Sequence, residues 1–272
     1  MSILQSSNPV LSDSALDRMV AMNGGVARSN TASVQGVMAK TGLCTVLAVA
    51  AGAVGYYYVA ANPTLTMVAF IGSLVVSLIA FFALMAKPGL AIVVAPVYSI
   101  TQGVVLGTLS CLLEAMLASR GVVAVGGLAL QAFIITGSLM ATMLALHTFG
   151  ILRAGPRFTS VLTLVTLGLM VSMLIAWVVS LFGVNMPFLN LNEAFNGGQA
   201  AWIGLGLNAG ILVLASLWLL VDLAQIDEAV ASGAPKSMEW FLAFGLIVTL
   251  AWVYLEALKL AFRVAAMFGE RK

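Results

Sequence analysis

The chain has 272 residues, of which 62% are hydrophobic and only 8% are charged, and its formal net charge is +2. A soluble domain carries about 25% charged residues, and a soluble fold of this length could not keep so much apolar surface away from water. The composition therefore excludes an ordinary soluble protein and indicates an integral membrane protein that lies in the lipid bilayer. The basic residues are scattered and form no patch, which argues against a nucleic-acid partner.

Seven apolar stretches are long enough to be membrane-spanning helices, because about 20 apolar residues are needed to cross the hydrocarbon core. The breaks between them carry turn residues, such as Asn62-Pro63 and Gly233-Ala-Pro235. The sequence predicts an all-α bundle, with spans at 41–61, 64–86, 90–118, 123–149, 158–183, 199–230 and 239–268.

The polar segment 1–40 is rich in serine and asparagine and is predicted to be a disordered tail, and 269–272 is a short C-terminal tail. Lysine and arginine are more frequent in the connections on the same side as this N-terminal tail. Since such residues favour the cytoplasmic side, the N-terminus is predicted to be cytoplasmic.

Few charged residues lie inside the predicted spans, and charged groups in a membrane are usually functional. Asp222 lies within the sixth span and Glu256 within the seventh. Thr249, Trp252, Glu256, Lys259 and Arg263 recur at three- and four-residue steps, which places them on one face of the last helix. A helix with such a polar stripe is expected to turn it inward, so we predict that the seventh helix is central.

Asp222 and Glu256 lie on consecutive antiparallel helices, but straight helices would leave them about 15 Å apart in depth at about 1.5 Å per residue. We therefore predict that part of Lys236 to Gly245 lies along the membrane interface, which would bring the two carboxyls together. Two adjacent carboxylates share a proton and form a pH switch, and their deprotonated oxygens are suitable ligands for Ca²⁺. The alternative is that Glu256 pairs with Lys259 or Arg263 and that Asp222 bonds to a neighbour.

Other polar residues have less specific patterns. Glu114 is expected to extend toward the membrane surface. His147 has no nucleophile in a recognisable motif beside it, so the chain is not predicted to be an enzyme. Two GxxxG patterns, Gly103 to Gly107 and Gly206 to Gly210, predict close helix packing within one bundle rather than a dimer face.

The run Gly233-Ala-Pro-Lys-Ser-Met-Glu239-Trp240 and the third-span segment Pro96-Val-Tyr-Ser-Ile-Thr-Gln102-Gly103 resemble the Bax inhibitor-1 family, in particular its bacterial YccA-like branch. The resemblance implies a seven-helix bundle in the bacterial cytoplasmic (inner) membrane. It also implies a proton-gated Ca²⁺ leak or exchanger centred on Asp222 and Glu256, with Gln102, Glu114, Lys259 and Arg263 in supporting positions.

The sequence departs from the family pattern in two places. Gln102 stands where a glutamate is usual, and Ala224 stands where the branch often has a second acid, so fewer groups are available to bind Ca²⁺ or to titrate. Members of the YccA-like branch also resemble regulators of a membrane-bound AAA protease that act through the cytoplasmic tail. Regulation of such a protease through residues 1–40 is therefore the alternative function.

Overall fold

The computed structural model describes residues 31–152, 154–184 and 186–269. These residues include seven helices that are long and apolar enough to cross a membrane, which confirms the predicted all-α bundle. The helices are α1 (Val34–Val54), α2 (Pro63–Ala86), α3 (Ala91–Ala118), α4 (Leu128–Thr148), α5 (Pro156–Leu181), α6 (Gly198–Ala231) and α7 (Met238–Phe268). A π-helical turn, Gly55–Val59, continues α1, and a single helical turn, Glu193–Asn196, precedes α6.

The helix ends follow the turn residues. The Asn62 side chain accepts a hydrogen bond from the Thr64 amide at 3.1 Å and so caps α2, with Pro63 at its first position. Between α6 and α7, Gly233 has a φ of 75°, a left-handed conformation that glycine adopts without steric cost. The bounds of α2, α3, α5, α6 and α7 agree with the predicted spans to within two residues, and α4 begins five residues later than predicted.

The first helix begins earlier than predicted, at Val34 rather than at residue 41. Its N-cap is Ser33, whose hydroxyl accepts a hydrogen bond from the Gly36 amide at 3.0 Å. The preceding residue is also held in place, because the Ala32 amide donates to the Ala234 carbonyl at 2.7 Å. The part of the predicted tail that covers 34–40 is therefore helical, and residues 1–30 and 270–272 lie outside the described residues.

Helix α7 is the central helix, as its polar stripe predicted. It packs against α1, α3, α4 and α6. In its most apolar stretch 67% of the residues are buried, against 11% in the corresponding stretch of α5, which packs mainly on α6. A helix that is enclosed in this way has no contact with water along most of its length, so its polar side chains depend on protein partners.

The predicted interfacial segment at Lys236 to Gly245 is wrong. Helix α7 is one continuous α-helix from Met238 to Phe268, and Gly245 is buried inside it. The reason is the environment of Glu239, which is buried rather than exposed at the membrane surface. Its Oε1 accepts hydrogen bonds from the Ser33 amide (2.9 Å) and hydroxyl (3.1 Å), and its Oε2 pairs with Lys40. These contacts fix the first turn of α7 against the start of α1.

One of the two GxxxG patterns packs as predicted. Gly103 and Gly107 of α3 lie directly against Ala48 and Gly52 of α1, so closely that a Cβ on either α3 glycine would overlap with the α1 backbone. The second pattern does not: within the described residues, nothing lies within 4 Å of a Cβ placed at Gly206 or Gly210. Only the first pattern holds two helices together within the bundle.

This difference predicts opposite effects for the same substitution. Gly107→Ala forces α1 and α3 apart and should destabilise the protein by at least about 1–3 kcal/mol, the usual cost of overpacking. Gly210→Ala, the matched control, adds a methyl group to open space and should be neutral or slightly stabilising. Thermal unfolding of the two detergent-purified variants measures the difference, and equal melting temperatures would contradict this packing.

Candidate functional site in the core of the bundle

Asp222 is a fully buried carboxyl group, with 0% of its surface exposed. It lies on α6 among apolar side chains, including Leu219 and Leu223, which belong to the main core. Among the described residues, neither carboxyl oxygen has a hydrogen-bond partner. The Thr249 hydroxyl of α7 lies close enough to interact with this carboxyl, but its own hydrogen bond goes to the Gly245 carbonyl at 3.4 Å.

Gln225 lies three residues further along α6 and is in the same situation. It is buried, and neither its Nε2 nor its Oε1 has a hydrogen-bond partner in the described part of the chain. Buried polar groups without partners are rare in folded proteins, and each calls for an explanation. Asp222 and Gln225 together place three unpartnered oxygens and one amide nitrogen on neighbouring positions of one helix, which makes this part of α6 a candidate site.

Glu256, in contrast, is buried but fully partnered. It is 4% exposed, and its Oε1 accepts a hydrogen bond from Lys259 Nζ at 2.6 Å. Its Oε2 accepts one from Asn208 Nδ2 of α6 at 2.7 Å, and the same nitrogen lies 3.2 Å from the Glu256 carbonyl. A buried carboxylate with these partners is stabilised in its charged form.

Arg263 adds a second positive charge near Glu256. Its guanidinium is buried, interacts electrostatically with the Glu256 carboxylate and reaches the Leu189 carbonyl at 3.5 Å. The stripe of Thr249, Glu256, Lys259 and Arg263 therefore points into the bundle as predicted. It is a network of compensated charges rather than a set of free ligands.

The close contact predicted between Asp222 and Glu256 is not formed. Asp222 lies beside Thr249, whereas Glu256 lies beside Asn208. Thr249 and Glu256 are separated by about 10 Å of α7, and Asn208 and Asp222 by about 20 Å of α6, at about 1.5 Å per residue. The two carboxyls are thus at different depths in the bundle, since α7 is continuous and has no interfacial segment to bring them level.

Glu114 lies near the end of α3 and has a structural role at the start of α4. Its Oε1 accepts hydrogen bonds from the first amides of α4, those of Leu128 and of Ala129, the second at 3.2 Å. The N-cap of α4 is Gly127, which has no side chain, so Glu114 supplies the cap from another helix. Its Oε2 accepts a hydrogen bond from the Tyr56 hydroxyl.

The remaining predicted residues are bound to single partners. Gln102 Nε2 donates to the Ser77 hydroxyl at 2.8 Å, which ties α3 to α2. His147 Nε2 and Asp227 Oδ2 are 2.7 Å apart where α4 and α6 end. Among the described residues, neither Gln102 nor His147 forms a hydrogen bond with Asp222.

The described residues contain no group of three histidine, cysteine, aspartate or glutamate side chains that could hold a metal ion. A resident Ca²⁺ site needs about six to eight oxygen ligands. Asp222, Gln225 and Thr249 offer fewer side-chain oxygens, and the Glu256 carboxylate is already neutralised by Lys259. The described residues therefore show no complete Ca²⁺ site.

Sequence reasoning missed three buried residues: Asn208, Gln225 and Glu239. Asn208 and Gln225 stand out as polar residues inside an apolar stretch, but their spacing alone does not show which has a partner. The burial of Glu239 depends on Ser33 and Lys40, and no local pattern indicates that residues so far apart along the chain come together.

The different environments of the two acids predict different effects on stability. Glu256→Gln leaves the charges of the buried Arg263 and the partly exposed Lys259 without their counter-charge and should lower the stability by about 1–3 kcal/mol. Asp222→Asn removes an unpartnered carboxyl at constant size and should be neutral or stabilising. Melting temperatures in detergent at neutral pH test this order, and a larger loss for Asp222→Asn would contradict the described partners.

Comparison with known proteins identifies the family. A search of curated proteins and a search of solved structures each found no significant match. A family model described as "Bax inhibitor 1 like" matches residues 8–266, which is nearly the whole chain. The seven-helix membrane bundle with its buried acidic residues thus belongs to a member of the Bax inhibitor 1 like family.

Proposed function

We propose that this protein is a pH-sensitive cation leak channel or exchanger, with Ca²⁺ as its cargo and Asp222 as its proton-responsive group. The observation that carries the proposal is the environment of Asp222, a fully buried carboxyl whose two oxygens have no hydrogen-bond partner in the described part of the chain. An ionised carboxylate is most costly in such a place, because neither water nor a protein cation compensates it.

The sign of the pH effect follows from this cost. The neutral, protonated carboxyl suits the apolar core around Leu219 and Leu223, so the closed arrangement is favoured at acidic pH. Loss of the proton places an uncompensated negative charge in the core. The free-energy cost of that charge is lowered when a cation or water reaches the carboxylate, and this favours an open arrangement. Flux should therefore rise from acidic to neutral pH.

A proton and a metal cation compete for the same carboxylate oxygens. If the proton and the cation both cross the membrane through this site, the protein is an exchanger. If the proton only binds and thereby opens or closes the route for the cation, the protein is a leak channel. Gln225 supports either mode, because its unpartnered amide oxygen offers a further ligand three residues away on α6.

Glu256 has a separate role in this proposal. Its charge is compensated by Lys259 and Asn208, so it holds α6 and α7 together by a charged network. We propose that this network keeps the two helices in register while the protonation of Asp222 changes. The predicted proton sharing between the two carboxyls would require α6 and α7 to slide past each other.

We further propose that the protein resides in a bacterial cytoplasmic membrane with its N-terminus inside, as the YccA-like resemblance and the distribution of lysine and arginine suggest. No described contact favours an enzymatic role. The alternative function, regulation of a membrane-bound AAA protease, depends on residues 1–40, of which only 31–40 are described.

Calcium flux into liposomes that contain a calcium dye tests the proposal. For the wild-type protein we expect flux to rise with pH by at most about tenfold per pH unit, the limit for a single titrating group. Asp222→Asn cannot ionise and should give a flux that no longer depends on pH. Glu228→Gln is the matched control, because Glu228 is an acid on the same helix but is exposed, and it should keep the wild-type profile.

Two results would count against the proposal in different ways. Flux equal to that of protein-free liposomes at every pH would exclude transport. Flux above that background with the same pH profile in the wild type and in Asp222→Asn would support transport. It would also show that Asp222 does not control the pH dependence.

A further inference from the structure

Helix α5 packs mainly on α6, and the contact between them is small and separate from the main core. Its apolar part joins Leu162 of α5 to Leu214, Trp218 and Val221 of α6. We call this contact the α5–α6 seam. A hydrogen bond crosses it, because Trp218 Nε1 donates to the Thr166 hydroxyl at 2.9 Å. The two helices run in opposite directions, so this bond shows which residues lie at the same level.

The same alignment brings two buried polar residues to one level of the seam. Seven residues before Thr166 lies Thr159, and seven residues after Trp218 lies Gln225. A step of seven residues moves about 10 Å along each helix and returns to nearly the same face. Thr159 and Gln225 therefore lie opposite each other across the seam.

The neighbouring side chains support this alignment. Phe158 and Ala224, which directly precede Thr159 and Gln225, both pack against the apolar cluster of the seam. The contact between α5 and α6 thus extends to this level, and both polar residues are only 2% exposed.

Neither of the two polar side chains has a hydrogen-bond partner among the described residues. Thr159 differs in this from other helical threonines, such as Thr41 and Thr136, whose hydroxyls donate to a carbonyl one turn earlier. Buried polar groups are nearly always bonded to protein or to ordered water. Since Thr159 and Gln225 do not bond to each other, water is the partner that fits between them.

We infer that the α5–α6 seam binds water and is the entrance through which water reaches Asp222. Asp222 lies three residues before Gln225 on α6, which makes the two side chains neighbours on the helix surface. A buried water makes about three hydrogen bonds, and Thr159, Gln225 and Asp222 provide unpartnered groups for them. The inference rests on the proposed role of Asp222 and names the route by which water, protons and hydrated cations reach it.

The seam is open at one end and closed at the other. One turn before Thr159, among the described residues, nothing lies within 4 Å of a Cβ placed at Gly155, and the nearby Arg157 is exposed. In the other direction Trp218 fills the seam, and Leu214 beyond it is apolar and buried. Water therefore enters from the end of the bundle at which α5 begins and α6 ends.

Hydroxyl-radical labelling of the unmodified protein in lipid nanodiscs tests the entrance. Radicals that X-rays generate from water oxidise the side chains beside that water. Leu162 and Leu214 are a matched pair in the same apolar cluster, 5% and 7% exposed. Because only Leu162 lies near the inferred water, we expect it to be oxidised about tenfold faster than Leu214.

Two variants should block the entrance in different ways. Gly155→Leu places a side chain in the open space, and Thr159→Val removes the hydroxyl at nearly constant size. Each should lower the oxidation of Leu162 to the level of Leu214, and either one decides the question if the other does not fold. Gly168→Leu is the matched control, because Gly168 is equally open but lies exposed elsewhere on α5, and it should leave the labelling unchanged.

The results separate this inference from the proposed function. Equal oxidation of Leu162 and Leu214 in the wild type would overturn the entrance, even if calcium flux is observed. Selective oxidation of Leu162 that persists in both Gly155→Leu and Thr159→Val would also overturn it. Selective oxidation that both variants abolish, in a protein without calcium flux, would support the entrance and contradict the proposed transport.

Discussion

The structure depends on how charges on a buried central helix are compensated. Neither water nor lipid reaches most of α7, so each of its acidic side chains needs a protein partner. Glu239 is satisfied by Ser33 and Lys40 at one end of the helix, and Glu256 by Asn208 and Lys259 in the other half. These contacts position α1 and α6 around α7. Against this background Asp222 is the exception, since it faces the same core with no described hydrogen-bond partner.

Most of the fold could be predicted because lipid imposes a simple rule on the sequence. The spans are continuous apolar stretches, and their ends carry local signals such as Asn62-Pro63 and Gly233, which act within a few residues. The central position of α7 was also predictable, because a polar stripe cannot face lipid. The start of α1 was not predictable, because Lys40 looks like a residue of the polar tail unless its contact with Glu239 is known.

The candidate site was only partly predictable, and the reason is geometric. The sequence identifies Asp222 and Glu256 as acids within the membrane, but their separation depends on the shape of α7 near Gly245. A helix bend there would have brought them together, and the continuous helix keeps them at different depths.

The contact between Ser33 and Glu239, which joins residues 206 positions apart, also has a consequence for biogenesis. Chains are made and inserted from the N-terminus, so α1 to α6 enter the bilayer before the helix that fills their centre has left the ribosome. Until α7 is inserted, Lys40 lacks its counter-charge Glu239, and Asn208 lacks its partner, the Glu256 carboxylate. The six earlier helices therefore lack their central packing partner until α7 arrives, although α1 and α3 can already pack against each other at Gly103 and Gly107, so α7 completes the bundle last.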